Sequence, residues 1–168
     1  MKKTVIKYGI YGAIAICGLF LVSWFVLDDL PLSTQEALGY LSMILSLSFV
    51  FFGIKHYRDK ENEGKVSFKN ALVIGLLISL ITALVFGVLD VIYTEVLNPD
   101  FMDTYYSQTL KTMEETMPAE EFEVKKAEMD AQKELFANPL MTFLFMALTV
   151  FVIGFIVSLL SALILQRK

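Results

Sequence analysis

Few side chains in this sequence are equipped for chemistry. It holds one histidine, His56, and one cysteine, Cys17. A catalytic or zinc-binding imidazole needs partners, meaning a second imidazole, a thiolate or a positioned carboxylate. His56 stands in Lys55-His56-Tyr57-Arg58-Asp59-Lys60 with no cysteine or second histidine beside it, so neither role is expected of it. Cys17 lies inside a long uncharged run, and a lone cysteine forms no intramolecular disulfide. Its expected role is that of a small residue at a helix contact. Ile14-Ala15-Ile16-Cys17 has the outline of a lipoprotein cleavage box, but Ile16 is too large for the position before the cysteine. Met102, Met113, Met117 and Met129 raise thioether ligation of copper. Without methionine pairs or histidines, apolar filling is the simpler reading. No metal and no cofactor is expected.

One acid remains. Asp90 ends a long apolar run, and ionisable residues within a bilayer are functional candidates because burying them is costly. Two readings stand: a solvated residue at the interface, or a coupling or proton site. With the inner edge near Ala71, the helical rise puts Asp90 about 28 Å along the span, close to the outer interface, which favours solvation. Asp28 and Glu95 sit further out, and Glu61 and Glu63 lie beyond the spans, so none of these forms an intramembrane relay.

The elements that must carry these groups are four uncharged runs, 8–27, 37–54, 71–89 and 140–165. About 20 helical residues cross a hydrocarbon core roughly 30 Å thick, so all four lengths suffice, the second only just. With 56% hydrophobic and 19% charged residues in 168, water is not the main solvent of this chain. The expected fold is all-α: a single membrane domain, 1–168, forming an integral membrane four-helix bundle. A helical insertion, 98–139, is expected between spans three and four as an extramembrane hairpin. Met1-Lys2-Lys3 before an apolar run suggests a signal peptide. The run exceeds the usual 7 to 15 residues and no Ala-x-Ala precedes Asp28, so a retained helix is expected.

Lysine and arginine collect on the cytoplasmic side of short loops. Ten of the fourteen lie at the N-terminus, in the second connection and at the C-terminus: Lys2, Lys3, Lys7, Lys55, Arg58, Lys60, Lys65, Lys69, Arg167 and Lys168. The other side holds Lys111, Lys125, Lys126 and Lys133. Both termini are therefore expected in the cytoplasm, as in a multi-pass protein of the bacterial inner membrane, with 98–139 outside. That segment carries ten acids against four lysines, net −6, which argues against nucleic acid as a partner. The bilayer itself is the expected partner, with anionic lipid headgroups at the basic inner loop. A homo-oligomer or a membrane protein partner is a further candidate. Tyr8, Tyr11, Trp24 and Tyr93 are expected as interfacial anchors.

Helices associate in lipid through close backbone approach at small residues. Ala71, Gly75, Ser79, Ala83 and Gly87 recur every four residues in the third run. Gly154, Ser158 and Ala162 repeat the pattern in the fourth run, and Gly9, Ala13 and Cys17 in the first. These are read as packing seams. Lys7 to Asp28 and Lys69 to Asp90 share a spacing of 21 and both end Val-Leu-Asp, a hint of duplicated hairpins that rests on few identities. Gly64 marks a turn and Ser67 a helix cap. Asn98-Pro99-Asp100 reads as a cap with proline in the first turn of a helix, Pro118 as a break before a second, and Asn138-Pro139 as the break before span four.

The exit Ile54-Lys55-His56-Tyr57-Arg58-Asp59, then Gly64-Lys65-Val66-Ser67-Phe68, then Asn98-Pro99-Asp100-Phe101, resembles a family of small bacterial membrane proteins. This is the domain-of-unknown-function family four-one-nine-nine, met chiefly in Bacteroidetes, and the similarity extends over the whole chain. One departure is Asn62-Glu63-Gly64, where a second glycine is common. The resemblance implies four spans in a bacterial cytoplasmic membrane. It implies no activity and no catalytic residues.

Among functions, a non-enzymatic accessory or interaction subunit fits the uncharged spans best. A small oligomeric transporter or channel is the alternative, with Ser42, Ser46, Ser48, Ser79, Thr82 and Thr149 as the few polar residues available to line a path. An intramembrane hydrolase would need a nucleophile with its base, or a metal set, and is not expected. The orientation is tested in a Cys17→Ser background: an impermeant thiol reagent outside intact cells should label Lys125→Cys and leave Lys60→Cys untouched. The reverse pattern would invert the topology.

Overall fold

A computed structural model describes residues 1–27 and 29–167; Asp28, read above as lying further out than Asp90, and Lys168, counted above among the basic residues, lie outside the described residues. The chain is all-helical: α1 Lys2–Val26, α2 Leu32–His56, α3 Phe68–Ile92, α4 Phe101–Thr116, α5 Ala119–Phe136 and α6 Pro139–Leu165. π-helical turns, Tyr57–Glu61 and Tyr93–Leu97, extend α2 and α3. Helices are the expected outcome for apolar runs, because in lipid a backbone must satisfy its own N–H and C=O groups. Four helices are long and apolar enough to cross a membrane: Lys2–Val26, Leu32–Glu61, Phe68–Leu97 and Pro139–Leu165. The marginal second run is the middle of a 25-residue helix that already starts at Leu32.

Contacts divide the chain into two compact units, 1–86 with 146–168, and 87–145. The divisions fall inside α3 and α6, so the second unit is wider at both ends than the insertion 98–139.

In the first unit α3 is the hub. Gly75 faces α6 so closely that a methyl group on it would stand 2.7 Å from the Ser158 hydroxyl, and one on Gly154 would meet Ser79 at 2.5 Å. The two serines lie 3.3 Å apart, Oγ to Oγ, and each donates to the carbonyl four residues earlier on its own helix, Ser79 to Gly75 and Ser158 to Gly154. Both hydroxyls are thus satisfied in an apolar interior. A Cβ on Gly12 of α1 would collide with Thr82 at 2.5 Å, and one on Gly53 of α2 with Ile78 at 2.5 Å. Cys17, expected at a helix contact, is only half-buried, whereas Gly12 is buried. The buried face of α1 runs Gly9, Gly12, Ala13, Ile16, Phe20, following the helical period of 3.6 rather than a strict four. Phe20 and Phe86 close this face with ring centroids 4.3 Å apart.

The chain ends of the first unit are tied by polar contacts. Val66 and Arg167 exchange backbone hydrogen bonds, 3.0 and 2.8 Å, and the Arg58 guanidinium donates to the Leu165 carbonyl at 3.4 Å. The Met1 ammonium meets Glu61 at 2.7 Å, and the Thr4 hydroxyl donates to the same carboxylate. Ser67 caps α3, accepting from the Asn70 N–H at 3.3 Å. In the turn before it both Glu63 (φ 53°) and Gly64 (φ 80°) are left-handed, so the missing second glycine falls at a place where glycine is the natural residue.

In the second unit, a Cβ on Gly87 would meet the Phe143 ring at 2.9 Å. Asn98 does not cap α4 with its side chain: its amide donates to the Tyr93 hydroxyl at 3.0 Å. α4 begins only at Phe101, with Asp100 as N-cap, so Pro99 precedes the first turn rather than occupying it. Asn138 does cap α6, its Oδ1 accepting from the Leu140 N–H at 2.9 Å, with Pro139 as the first helical residue.

Two stability predictions arise from the first unit. Gly154→Leu and Gly75→Leu should each lower the thermal midpoint in detergent, since overpacking a tight contact costs about 1–3 kcal/mol, while Leu77→Ala, 39% exposed, should change it little. Equal midpoints for all three would mean that the contact yields freely. Ser46 is 1% exposed and its hydroxyl has no hydrogen-bond partner among the described residues. Ser46→Ala should therefore be neutral or stabilising by up to about 1 kcal/mol, whereas a clear loss would reveal a partner for that hydroxyl.

Candidate functional site

Groups with chemical potential occur in both units: His56 and Arg58 in the first, Asp90 and Tyr106 in the second. Asp90 is 6% exposed, which corrects the expectation of a solvated interfacial residue. Helical rise gives depth along a span but not direction around it. Asp90 follows buried Gly87 by three residues and precedes buried Tyr93 by three, so it projects from the packed side of α3. The Thr94 hydroxyl donates to the Asp90 backbone carbonyl at 3.0 Å. The carboxyl itself has no hydrogen bond or ion pair among the described residues. Tyr93, expected as an interfacial anchor, is 4% exposed, with its ring edge-on to Phe101 at 5.4 Å.

The basic segment after α2 is partly neutralised within itself. Arg58 and Asp59 form a two-point pair, Nε to Oδ1 at 2.6 Å and a second contact at 3.1 Å. His56 packs against the Tyr8 ring, centroids 5.5 Å apart, as a structural aromatic. Among the described residues no group of three His, Cys, Asp or Glu is placed to hold a metal ion.

In the second unit, α4 and α5 are joined by polar contacts. Lys133 reaches Asp103 at 2.6 Å and lies 4.7 Å from the Tyr106 ring centroid. The Tyr106 hydroxyl donates to Asp130, and that bond holds the phenol above its ordinary range. Neither helix has a buried residue. Val124 and Leu135, 59% and 52% exposed, are eleven residues apart and share one face of α5.

Of the residues read as packing seams in the third and fourth runs, the structure brings Gly75, Ser79, Gly154 and Ser158 into one contact. Ala71 and Ala83 are buried on other turns of the first unit, and Gly87 belongs to the second. Gly12, Gly53 and Thr82 make equally close approaches that a spacing of four does not select. The signal for Gly12 was its pairing with Gly9 at a spacing of three.

A family model described as "Protein of unknown function (DUF4199)" matches residues 7–167. No curated protein and no solved structure matches the chain. With the match covering nearly its full length, the chain belongs to the DUF4199 family of proteins of unknown function.

Proposed function

We propose that this chain is a non-enzymatic accessory subunit of the bacterial cytoplasmic membrane. Its spans form a four-helix bundle with both termini and the basic connection in the cytoplasm, against anionic lipid headgroups. On the outer side, α4 and α5 form an acidic helical hairpin that docks a membrane protein partner. The observation that carries this reading is the α4–α5 pair: two helices with no buried residue, held to each other by polar contacts and carrying an exposed apolar pair, Val124 and Leu135. A segment this small cannot build a sizeable core, and packing on a partner supplies what it lacks. Its net charge of −6 favours a partner with a basic outer face and disfavours a second copy meeting it through the same surface.

A small oligomeric transporter is the second reading, favoured by the buried carboxyl of Asp90. The two are separated by purifying the tagged chain from its native membrane in mild detergent. A defined stoichiometric complex is expected, lost in Val124→Lys/Leu135→Lys while the thermal midpoint of the chain alone is kept. A chain that purifies only with itself and supports solute flux in proteoliposomes would replace the accessory reading with the transporter.

A further inference from the structure

The end of the first unit where α2 and α6 finish carries more positive charge than its own contacts use. Residues 55–69 hold five cations against three acids, and two of those acids are committed, Asp59 to Arg58 and Glu61 to the Met1 ammonium and the Thr4 hydroxyl. The Arg58 side chain is only 16% exposed: it holds both oxygens of Asp59 and also the Leu165 carbonyl, which fixes the end of α6 against the end of α2. Arg167 is fixed in turn by its two backbone bonds to Val66. Lys55 stands four residues before Asp59 and Arg167 two beyond Leu165, and both add their charge at that same carboxylate. Arg58 already neutralises Asp59, so Lys55 and Arg167 are left uncompensated beside the pair. Both are exposed, and neither has an ion pair among the described residues.

Apolar surface begins directly beside these cations. Phe52, 50% exposed, precedes Lys55 by three residues on the same face of α2, and Ile164, 70% exposed, lies in the last turn of α6 three residues before Arg167. Both belong to helices long and apolar enough to cross a membrane. A ligand matched to this arrangement has an anionic head joined to an apolar chain; a free phosphate would leave the apolar half unmet. We infer that Lys55 and Arg167 bind the phosphate of one anionic phospholipid, with Arg58 as the positioning residue and an acyl chain along Phe52 and Ile164. Arginine offers phosphate a two-pronged fork and lysine a compact point charge, so the pair suits a single headgroup. The inference rests on the proposed contact between the basic connection and anionic headgroups, and gives that contact a defined site in place of a diffuse attraction.

Native mass spectrometry of the full chain in detergent, titrated with phosphatidylglycerol or phosphatidylcholine, tests this. One phosphatidylglycerol per chain should bind in preference to phosphatidylcholine. Lys55→Gln/Arg167→Gln should weaken that binding about 30-fold, at about fivefold per cation, and keep the thermal midpoint measured without lipid. Lys2→Gln/Lys3→Gln, which removes the same charge from the same unit, should change binding little. Equal weakening by the two double variants would show a diffuse attraction and overturn the site. Equal binding of phosphatidylcholine would overturn the need for an anion, and an equal rise in thermal midpoint with inorganic phosphate would overturn the lipid in favour of a soluble anion. A chain that purifies without a protein partner would fail the accessory reading and leave these measurements unchanged.

Discussion

Close approach of backbones around α3 is the constraint on which the first unit depends. Lipid gives apolar side chains no reason to leave it for one another, so helices gain from contact only where they come near enough for dense packing. Gly75 and Gly154 allow that distance, and Ser79 and Ser158 fill the remaining space without leaving a hydroxyl unsatisfied. α1 and α2 approach the same helix through Gly12 and Gly53. A larger residue at any of these points separates two backbones along several turns, not one pair of atoms.

Polar chemistry is kept to the margins of the apolar interior. Where the first unit's chain ends gather, Val66, Arg167, Arg58 and Leu165 satisfy backbone groups that the helices leave open, and Arg58 is also paired with Asp59. Ser79, Thr82 and Ser158 turn their hydroxyls back to their own helices, Thr82 to Ile78 at 3.1 Å, while that of Ser46 has no partner among the described residues. Against that pattern Asp90 stands out, because an acid cannot satisfy itself on an i−4 carbonyl while ionised. In the second unit, α4 and α5 follow a different rule: their contacts are charged, exposed and individually weak.

Long apolar helices, helix breaks and charge asymmetry were legible in the sequence because each is a local property. An uncharged run of sufficient length becomes a helix wherever lipid is its solvent, and Pro118 and Pro139 interrupt helices whatever surrounds them. Ser67 acts as the cap expected of it for the same reason, through a bond only a few residues long, and Asn138, read only as a break, caps α6 in the same local way. The family signature is also carried by short motifs between spans, so it too could be read directly.

Tertiary structure decided what depends on direction around a helix. A spacing of four drifts by about 40° per step, since four residues overshoot one turn of 3.6. Ala71 to Gly87 therefore cannot be one seam facing one partner, and the structure spends its members on different neighbours. The same geometry hid Gly12 behind Cys17 and turned Asp90 and Tyr93 inward although their depth suggested the interface. Asn98 was diverted from its cap by a hydroxyl five residues back, a competition that no propensity encodes. Which segments are long and apolar enough to cross a membrane, and where charge collects, follow from composition along the chain; which side chain meets which is settled only when helices pack, because rotation about each axis is chosen by its neighbours.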